Sequence, residues 1–367
     1  AGGQGGVWLA VDPEGTAVAV KEVRKGRVAN LPQKSSTRVF MERTALLELG
    51  GHPFLTNLHG TFQDDHSVYF AMSLAAGGDL FSLLDNHPEG LPEGHTRFYA
   101  ACVALAFRHV HSHGYLYRDI KLENVLIGAD GYAMLCDFGY AKKLATARTF
   151  TKCGTDEYAP PEVVWGRGRS TAADWWGLGI LMHELLIGHP PFGGASGQEV
   201  FASIQEYSSG GVAAAEALQA SVRSAAGHLS EECTAFVSGL LHVREATRIG
   251  CGPEGFGDVQ EHAWFAPVDW AATLRKEVPA PWVPPPGSDG GSVVSAPDFS
   301  ADDVMAEHSF DRKKWEPMFA SFGPHVREVK GRWAHARAGG QLSPQWAAQA
   351  ADAGQPGPSS IELDADF

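Results

Sequence analysis

Two short runs in the chain gather the residue types that phosphate chemistry needs. The first is Tyr115-Leu116-Tyr117-Arg118-Asp119-Ile120-Lys121-Leu122-Glu123-Asn124-Val125-Leu126. Thirteen residues after Asn124 comes the second, Asp137-Phe138-Gly139, and then Gly154-Thr155-Asp156-Glu157-Tyr158-Ala159-Pro160-Pro161-Glu162. Phosphoryl transfer demands something to hold a triphosphate, metal ions on its oxygens and a carboxylate against the incoming hydroxyl. The chain supplies each in a consistent order. Gly3 and Gly6, in the opening glycine run, let backbone N–H groups approach phosphate because no side chain intervenes. Lys21 closes the apolar run Val18-Ala19-Val20-Lys21, where its ammonium can pair with phosphate, and Glu42 can orient that ammonium.

These residues need elements to hold them. Val7–Val11 and 17–23 are apolar and β-branched on either side of Asp12-Pro13-Glu14-Gly15, which predicts a hairpin. Val39, Leu46 and Leu49 recur at helical spacing, so 37–49 is expected to be a helix carrying Glu42. Residues 66–73 alternate like a strand, and Gly77-Gly78 breaks the chain after it. Beyond this the pattern turns helical, notably over 95–111, 172–186 and 230–241. A small β-rich lobe followed by a larger α-rich lobe makes the class α+β. After Phe265 the composition shifts: 279–291 is rich in Pro, Gly and Ser and reads as an extended linker. Residues 323–367 have few core-forming side chains and are expected to be mostly disordered.

Taken together, identity, order and spacing of these motifs resemble the signature set of the eukaryotic protein kinases over about residues 1–265. The resemblance implies the two-lobed kinase fold, with ATP and Mg2+ as cofactors. Asp119 would be the catalytic base and Lys121 would neutralise the transferring phosphoryl group. Asn124 would hold one magnesium ion and Asp137 both, while Thr155 would bridge Asp119 and Lys121. The nucleotide would lie among Gly3, Gly6, Trp8, Ala19, Lys21, Met72, Leu74, Asp79 and Leu126. Glu162 and Arg248 resemble an architectural ion pair, and Asp174 an architectural position. Leu46, Leu58, Tyr117 and Phe138 match the family's hydrophobic column. Lys121 after Asp119, with Gly154-Thr155, is the serine/threonine pattern.

Within kinases, Tyr117-Arg118-Asp119, the run Thr149-Phe150-Thr151-Lys152-Cys153-Gly154-Thr155, Asp174-Trp175-Trp176 and His262-Ala263-Trp264-Phe265 resemble the AGC group. Gly131-Tyr132-Ala133, Ala141-Lys142-Lys143-Leu144 and Gly188-His189-Pro190-Pro191-Phe192 lean toward the cGMP-dependent protein kinases, with the cAMP-dependent enzyme next. A cyclic-nucleotide-binding regulatory region ahead of residue 1 would accompany that reading. The resemblance makes Thr151 a phosphorylation site. Asp79, Glu123 and Glu184 would receive basic residues upstream of the target, and Lys152 and Asp156 would line the pocket after it. It also divides the chain into a catalytic domain over 1–265, lacking its first strand, an AGC-type tail over 266–322, and 323–367. In that tail Phe319-Ala320-Ser321-Phe322 resembles the hydrophobic motif that clasps the small lobe, and Phe299 the aromatic that approaches adenine.

The chain also departs from the pattern. Ala1 stands at the first glycine, Gly5 at the loop-tip aromatic, Trp8 at the usual Val, Leu122 at the usual Pro, and Lys152 and Asp156 charge a pocket that is usually apolar. A nucleotide-binding pseudokinase is therefore the alternative to an active enzyme. A small-molecule phosphotransferase ranks last, because 149–162 resembles a peptide-docking loop. The net charge of −14 argues against nucleic acid as partner. No apolar stretch is long enough to span a bilayer. Five scattered cysteines among 367 residues, never paired as CxxC, read as free thiols of a reducing, cytoplasmic compartment.

Overall fold

The expected hairpin is present in the computed structural model: β1 (Val7–Val11) and β2 (Ala17–Arg24) pair antiparallel, with Leu9 opposite Ala19. The structure describes residues 6–11, 17–30, 37–151, 153–225, 229–286 and 319–323. These described residues fall into two units, the first holding those up to Gly50, Thr56–Ala76 and those from Pro286 on, the second Gly51–Leu55 and the described part of Gly77–Pro285.

In the first unit, helix α1 (Lys25–Asn30) follows β2, and helix α2 (Arg38–Leu49) carries Glu42 as expected. Strands β3 (Leu58–Gln63) and β4 (Ser67–Ser73) complete an antiparallel sheet of order β1-β2-β4-β3. Strand β3 has no clear signal in the sequence, since Leu58-His59-Gly60-Thr61 lacks apolar alternation and its register slips between Leu58 and Gly60. On one sheet face Ala10, Val18, Val20, Phe62, Tyr69 and Ala71 form a buried cluster, in which Phe62 and Tyr69 stack at 4.7 Å.

The second unit is mainly helical. It contains α3 (Leu80–Asp85), α4 (Glu93–Ser112), the strand pairs β5 (Tyr115–Leu116) with β8 (Lys142–Lys143) and β6 (Val125–Ile127) with β7 (Ala133–Leu135), then α5 (Pro161–Val164) and α6 (Ala172–Ile187). Helices α7 (Gly197–Ser209), α8 (Gly211–Ala225), α9 (Glu231–Leu240), α10 (Phe256–Gln260) and α11 (Trp270–Leu274) follow. Helix α6 is buried nearly all round, as its unbroken apolar composition requires. Arg248 meets Glu162 through two bonds of 2.9 Å, a fully buried pair, as expected. The stretch after α11 forms no helix or strand over 279–286 and is held by contacts with the turn at 130–132. Tyr132 donates to the Val278 carbonyl, Lys276 pairs with Asp130 at 2.8 Å, and Gly131 (φ 80°) lies under Trp282, where a Cβ would sit 2.2 Å from the carbonyl oxygen. The five cysteines are free thiols.

One buried histidine, His52, sets an acid limit on this unit. His52 stacks on His109 with ring centroids 4.6 Å apart, and His109 lies 4.3 Å from His113. Burial, then the neighbouring His109, Arg108 and His113, push the His52 pKa from 6.5 down to about 4. The unfolded chain takes up this proton near 6.5, the folded one near 4, so between these values acid favours unfolding. Stability from neutral His52 is complete above pH 6.5 and is lost as pH falls toward 4. His52→Asn keeps an acceptor for the Phe54 N–H (3.2 Å), and it should flatten the melting temperature against pH in that window. A residual slope is expected from His183, also at about 4; an unchanged slope would exclude His52 as the sensor.

Candidate active site

In the first unit, Lys21 lies opposite Phe70 on β4, its ammonium 5.9 Å from the ring centroid. Its Nζ donates to both oxygens of Glu42 at 2.7 and 2.8 Å. Burial of Glu42 keeps that carboxylate aimed at the lysine. Ala19 faces Met72 across the sheet, on the same face as Lys21, because side chains alternate along a strand. Trp8 pairs with Val20, so it lies on the other face and does not join them. The Gly6 carbonyl accepts from the Glu22 N–H at 2.9 Å, tying the strand start to β2. Leu74 is half-buried just past β4. Gly3, Lys152 and Phe299 lie outside the described residues.

In the second unit the β6–β7 hairpin does the positioning. Val125 pairs with Leu135 and the Cys136 N–H reaches the Asn124 carbonyl at 3.0 Å, so Asn124 and Asp137 flank the same hairpin end. Asn124 donates its Nδ2 to the Asp119 carbonyl (2.7 Å) and to Asp119 Oδ2 (2.8 Å). With its nitrogen committed, the Asn124 amide offers oxygen at its other end. Asp137 sits at φ 51°, an uncommon backbone for a non-glycine residue, and its Oδ1 accepts from the Gly139 N–H at 3.1 Å. Burial, and to a lesser degree Asp137, push the Asp119 pKa above 3.8, while Lys121 and the Asn124 hydrogen bond pull the other way. A buried carboxylate with raised basicity suits a proton acceptor.

The segment is held from behind by Asp174, in the first turn of α6. Its carboxylate accepts from the Tyr117 N–H (3.0 Å), the Arg118 N–H (2.9 Å) and His111 Nε2 (2.8 Å). This keeps Arg118 at φ 71° next to Asp119. Tyr117 is fully buried, donates its hydroxyl to the Cys136 carbonyl and meets Phe138 edge-on at 5.3 Å.

Of the other expected residues, Asp79 uses Oδ1 to cap α3 by accepting from the Ser82 N–H at 2.7 Å. Leu126 forms a bridge with Asp79. Glu123 is exposed, while Glu184 is partly buried and accepts from the Tyr158 hydroxyl. Burial raises the Glu184 pKa, and Glu123 and Glu157 raise it further, so these acids share one locality. Among the described residues no hydrogen bond joins Thr155 to Asp119 or Lys121; Asn124 takes that carboxylate instead. Asp156 is exposed, beside Gly197, where a Cβ would lie 2.2 Å from its carboxylate. Thr151 is half-buried. Sequence alone did not single out Tyr158, although it lies inside a quoted motif, or Arg169, whose surroundings Gly168-Arg169-Ser170 carry no signal.

The family model for the protein kinase domain matches residues 1–265. The chain belongs to the protein kinase family. Similar proteins include a cAMP-dependent protein kinase catalytic subunit of Arthrobotrys oligospora, 37% identical over 73% of this chain and 48% of that protein. Human ribosomal protein S6 kinase alpha-3 is 34% identical over 77% of this chain and 36% of its own length. Serine/threonine-protein kinase N2 of Danio rerio is 35% identical over 74% and 26% respectively. The kinase chain thus spans less than half the length of each of these relatives. Its group within the family is AGC. The kinase fold is the expected one, an antiparallel sheet followed by a largely helical unit. No helix among the described residues is long and apolar enough to cross a membrane.

Proposed function

We propose that this domain is an active serine/threonine protein kinase, moving the γ-phosphoryl group of ATP to a hydroxyl of a protein substrate. The observation that carries the reading is the buried Asp119–Asn124 pair, set at the same hairpin end as Asp137. Substrate hydroxyl oxygen bonds to the γ-phosphorus as the bond to the ADP oxygen breaks, and the hydroxyl proton passes to Asp119. Lys121 would lie against the transferring charge, and Lys21, held by Glu42, against the remaining phosphates. Ala19 and Met72 supply an apolar face suited to adenine.

The donor set fits magnesium. Asn124 presents an amide oxygen and Asp137 a carboxylate, both hard ligands, and magnesium takes few protein ligands when substrate phosphates supply the rest. When bound, magnesium neutralises charge on the phosphate oxygens.

Substrate preference follows from the acids. Burial raises the pKa of Glu184 and its neighbours Glu123 and Glu157 raise it further, a cost that a cation relieves, and guanidinium pairs with carboxylates bidentately. Asp79 would read the third residue before the target, Glu123 and Glu184 the second. A peptide array should show preference for Arg over Lys at those positions, and Glu184→Gln should lower kcat/KM several-fold only for peptides with Arg at the second. Indifference to upstream Arg would sink this assignment. The finer, cyclic-nucleotide-dependent reading is supported by the 131–133, 141–144 and 188–192 motifs. Activation of the full-length protein by cGMP, measured beside cAMP, tests it.

A further inference from the structure

A cavity of about 690 Å³ opens in the second unit, between the turn that follows α5, the end of α7 and the loop around Arg244. None of Asp119, Lys121, Asn124 and Asp137 lines it. Thr149 exchanges both backbone hydrogen bonds with Arg169 (2.9 and 2.7 Å), which joins the wall at Arg148 to the wall at Arg167 and Ser170. Small organic ligands fill cavities of about 300–1,000 Å³, usually lined by apolar side chains. This lining is rich in charge instead.

Most of that charge is matched inside the protein. Glu162 is held by Arg248 through two bonds of 2.9 Å. Glu245 gives one oxygen to Arg148 (2.6 Å) and the other to the Ser170 hydroxyl (2.8 Å). Arg148 also donates to the carbonyls of Arg167 and Gly168, at 3.3 and 3.2 Å. Arg167 and Arg244 are left over. Neither guanidinium has a hydrogen bond or an ion pair among the described residues, although both backbones are fixed. The Arg167 N–H donates to the Glu162 carbonyl at 2.7 Å, between Gly166 at φ 69° and Gly168 at φ 78°. The Arg244 N–H donates to His242 Nδ1 at 3.2 Å, and its carbonyl accepts from the Thr247 N–H at 3.1 Å. Two positive charges thus stay uncompensated in one cavity of a chain whose net charge is −14. Trp165 completes the lining, 48% exposed. Its Nε1 donates to the Ser208 hydroxyl (3.1 Å), which donates in turn to the Gln205 carbonyl (2.9 Å). The indole is anchored by its edge and keeps ring surface uncovered.

We propose that this cavity is a second ligand site, for a phosphate monoester that carries a planar ring. Arg167 and Arg244 take the phosphate, and Trp165 takes the ring. A phosphate monoester puts close to two negative charges on one group at neutral pH, which matches the two guanidiniums left over. The planar fork of a guanidinium binds phosphate oxygens in pairs, and an indole pairs with a second ring by offset or edge-on contact. The site is independent of the phosphoryl-transfer reading, since the residues of that chemistry lie outside the cavity.

The test adds phenyl phosphate to the full chain, labelled with 15N at tryptophan. The Trp165 Nε1–H signal, identified by its loss in Trp165→Phe, should shift and saturate, and an unmoved signal overturns the proposal. The shift should persist with a non-hydrolysable ATP analogue present; its disappearance would put the probe at the nucleotide site and overturn the second site. Arg167→Gln and Arg244→Gln should each weaken binding about fivefold, the upper range for a partly exposed ion pair. Their side chains have no internal partner, so the fold is not at risk. Arg275→Gln removes an exposed arginine outside the cavity and should leave affinity unaltered. Equal losses at all three positions would reduce the effect to net charge and sink the site. Inorganic phosphate should bind about two- to tenfold more weakly than phenyl phosphate, the range of one aromatic pair. Equal affinity would refute the role of Trp165. An oligoglutamate peptide that binds more tightly than phenyl phosphate, with the same dependence on Arg167 and Arg244, would make the cavity a protein interface and overturn the small-ligand assignment.

Discussion

Asp119→Asn should lower turnover by about two to four orders of magnitude, the usual contribution of a positioned base, while nucleotide affinity stays nearly constant. The substitution is close to isosteric. An asparagine oxygen turned toward Asn124 still accepts from Nδ2, so the 2.8 Å bond that orders the segment survives. What is lost is a group able to take the hydroxyl proton. Asp137→Ala should behave differently, since it removes a proposed magnesium ligand and the acceptor for the Gly139 N–H (3.1 Å). It should weaken magnesium-dependent ATP binding as well as turnover. Phosphate transfer to a basic peptide and titration with labelled nucleotide, with and without magnesium, check both. Equal turnover in wild type and Asp119→Asn would favour the nucleotide-binding pseudokinase.

Much of the site was legible because its parts are local. Asp119, Lys121 and Asn124 fall within one short run, and the hairpin that brings Asp137 beside them is a three-residue strand pair around a turn at 128–132. Helices α4, α6 and α9 were legible because their apolar residues repeat on helical spacing or fill the whole surface. What the sequence hid was register and long-range pairing. Trp8 seemed to accompany Ala19, but one residue of phase decides the face, and that phase is set where Trp8 meets Val20. Helix α8 takes its helix propensity from alanine and carries few large apolar side chains, Val212, Leu218 and Val222, so periodicity passed over it. The grip of Asp174 on Tyr117 and Arg118 spans 57 and 56 residues, and only the family resemblance marked that position as architectural. Arg169 had no such marker.

The second large effect is expected at the tail. Phe319 and Phe322 have no exposed surface. Phe40, on the helix that carries Glu42, lies 5.3 Å from Phe319 and 5.7 Å from Phe322. Phe70, the cross-strand partner of Lys21, meets Phe322 edge-on at 5.4 Å. Lys25 covers the Phe319 ring and Arg43 the Phe322 ring, at 5.3 and 5.6 Å. The clasp closes with Gln63, which accepts from Lys25 at 2.8 Å and donates to the Gly323 carbonyl at 3.0 Å. These two rings therefore touch the supports of both members of the Lys21–Glu42 pair. Truncating one buried Phe costs about 3–5 kcal/mol. The two losses should not add, because the rings share Phe40 and the segment can leave as a unit. Phe322→Ala alone should thus approach the double variant Phe319→Ala, Phe322→Ala, with a fall in melting temperature on the order of 10 °C. Turnover should fall with it, as helix α2 loses the packing that aims Glu42 at Lys21. Removing residues 324–367 should change neither quantity, since the rings that make the clasp are Phe319 and Phe322. A double variant that melts and turns over like wild type would mean the tail is only a tether.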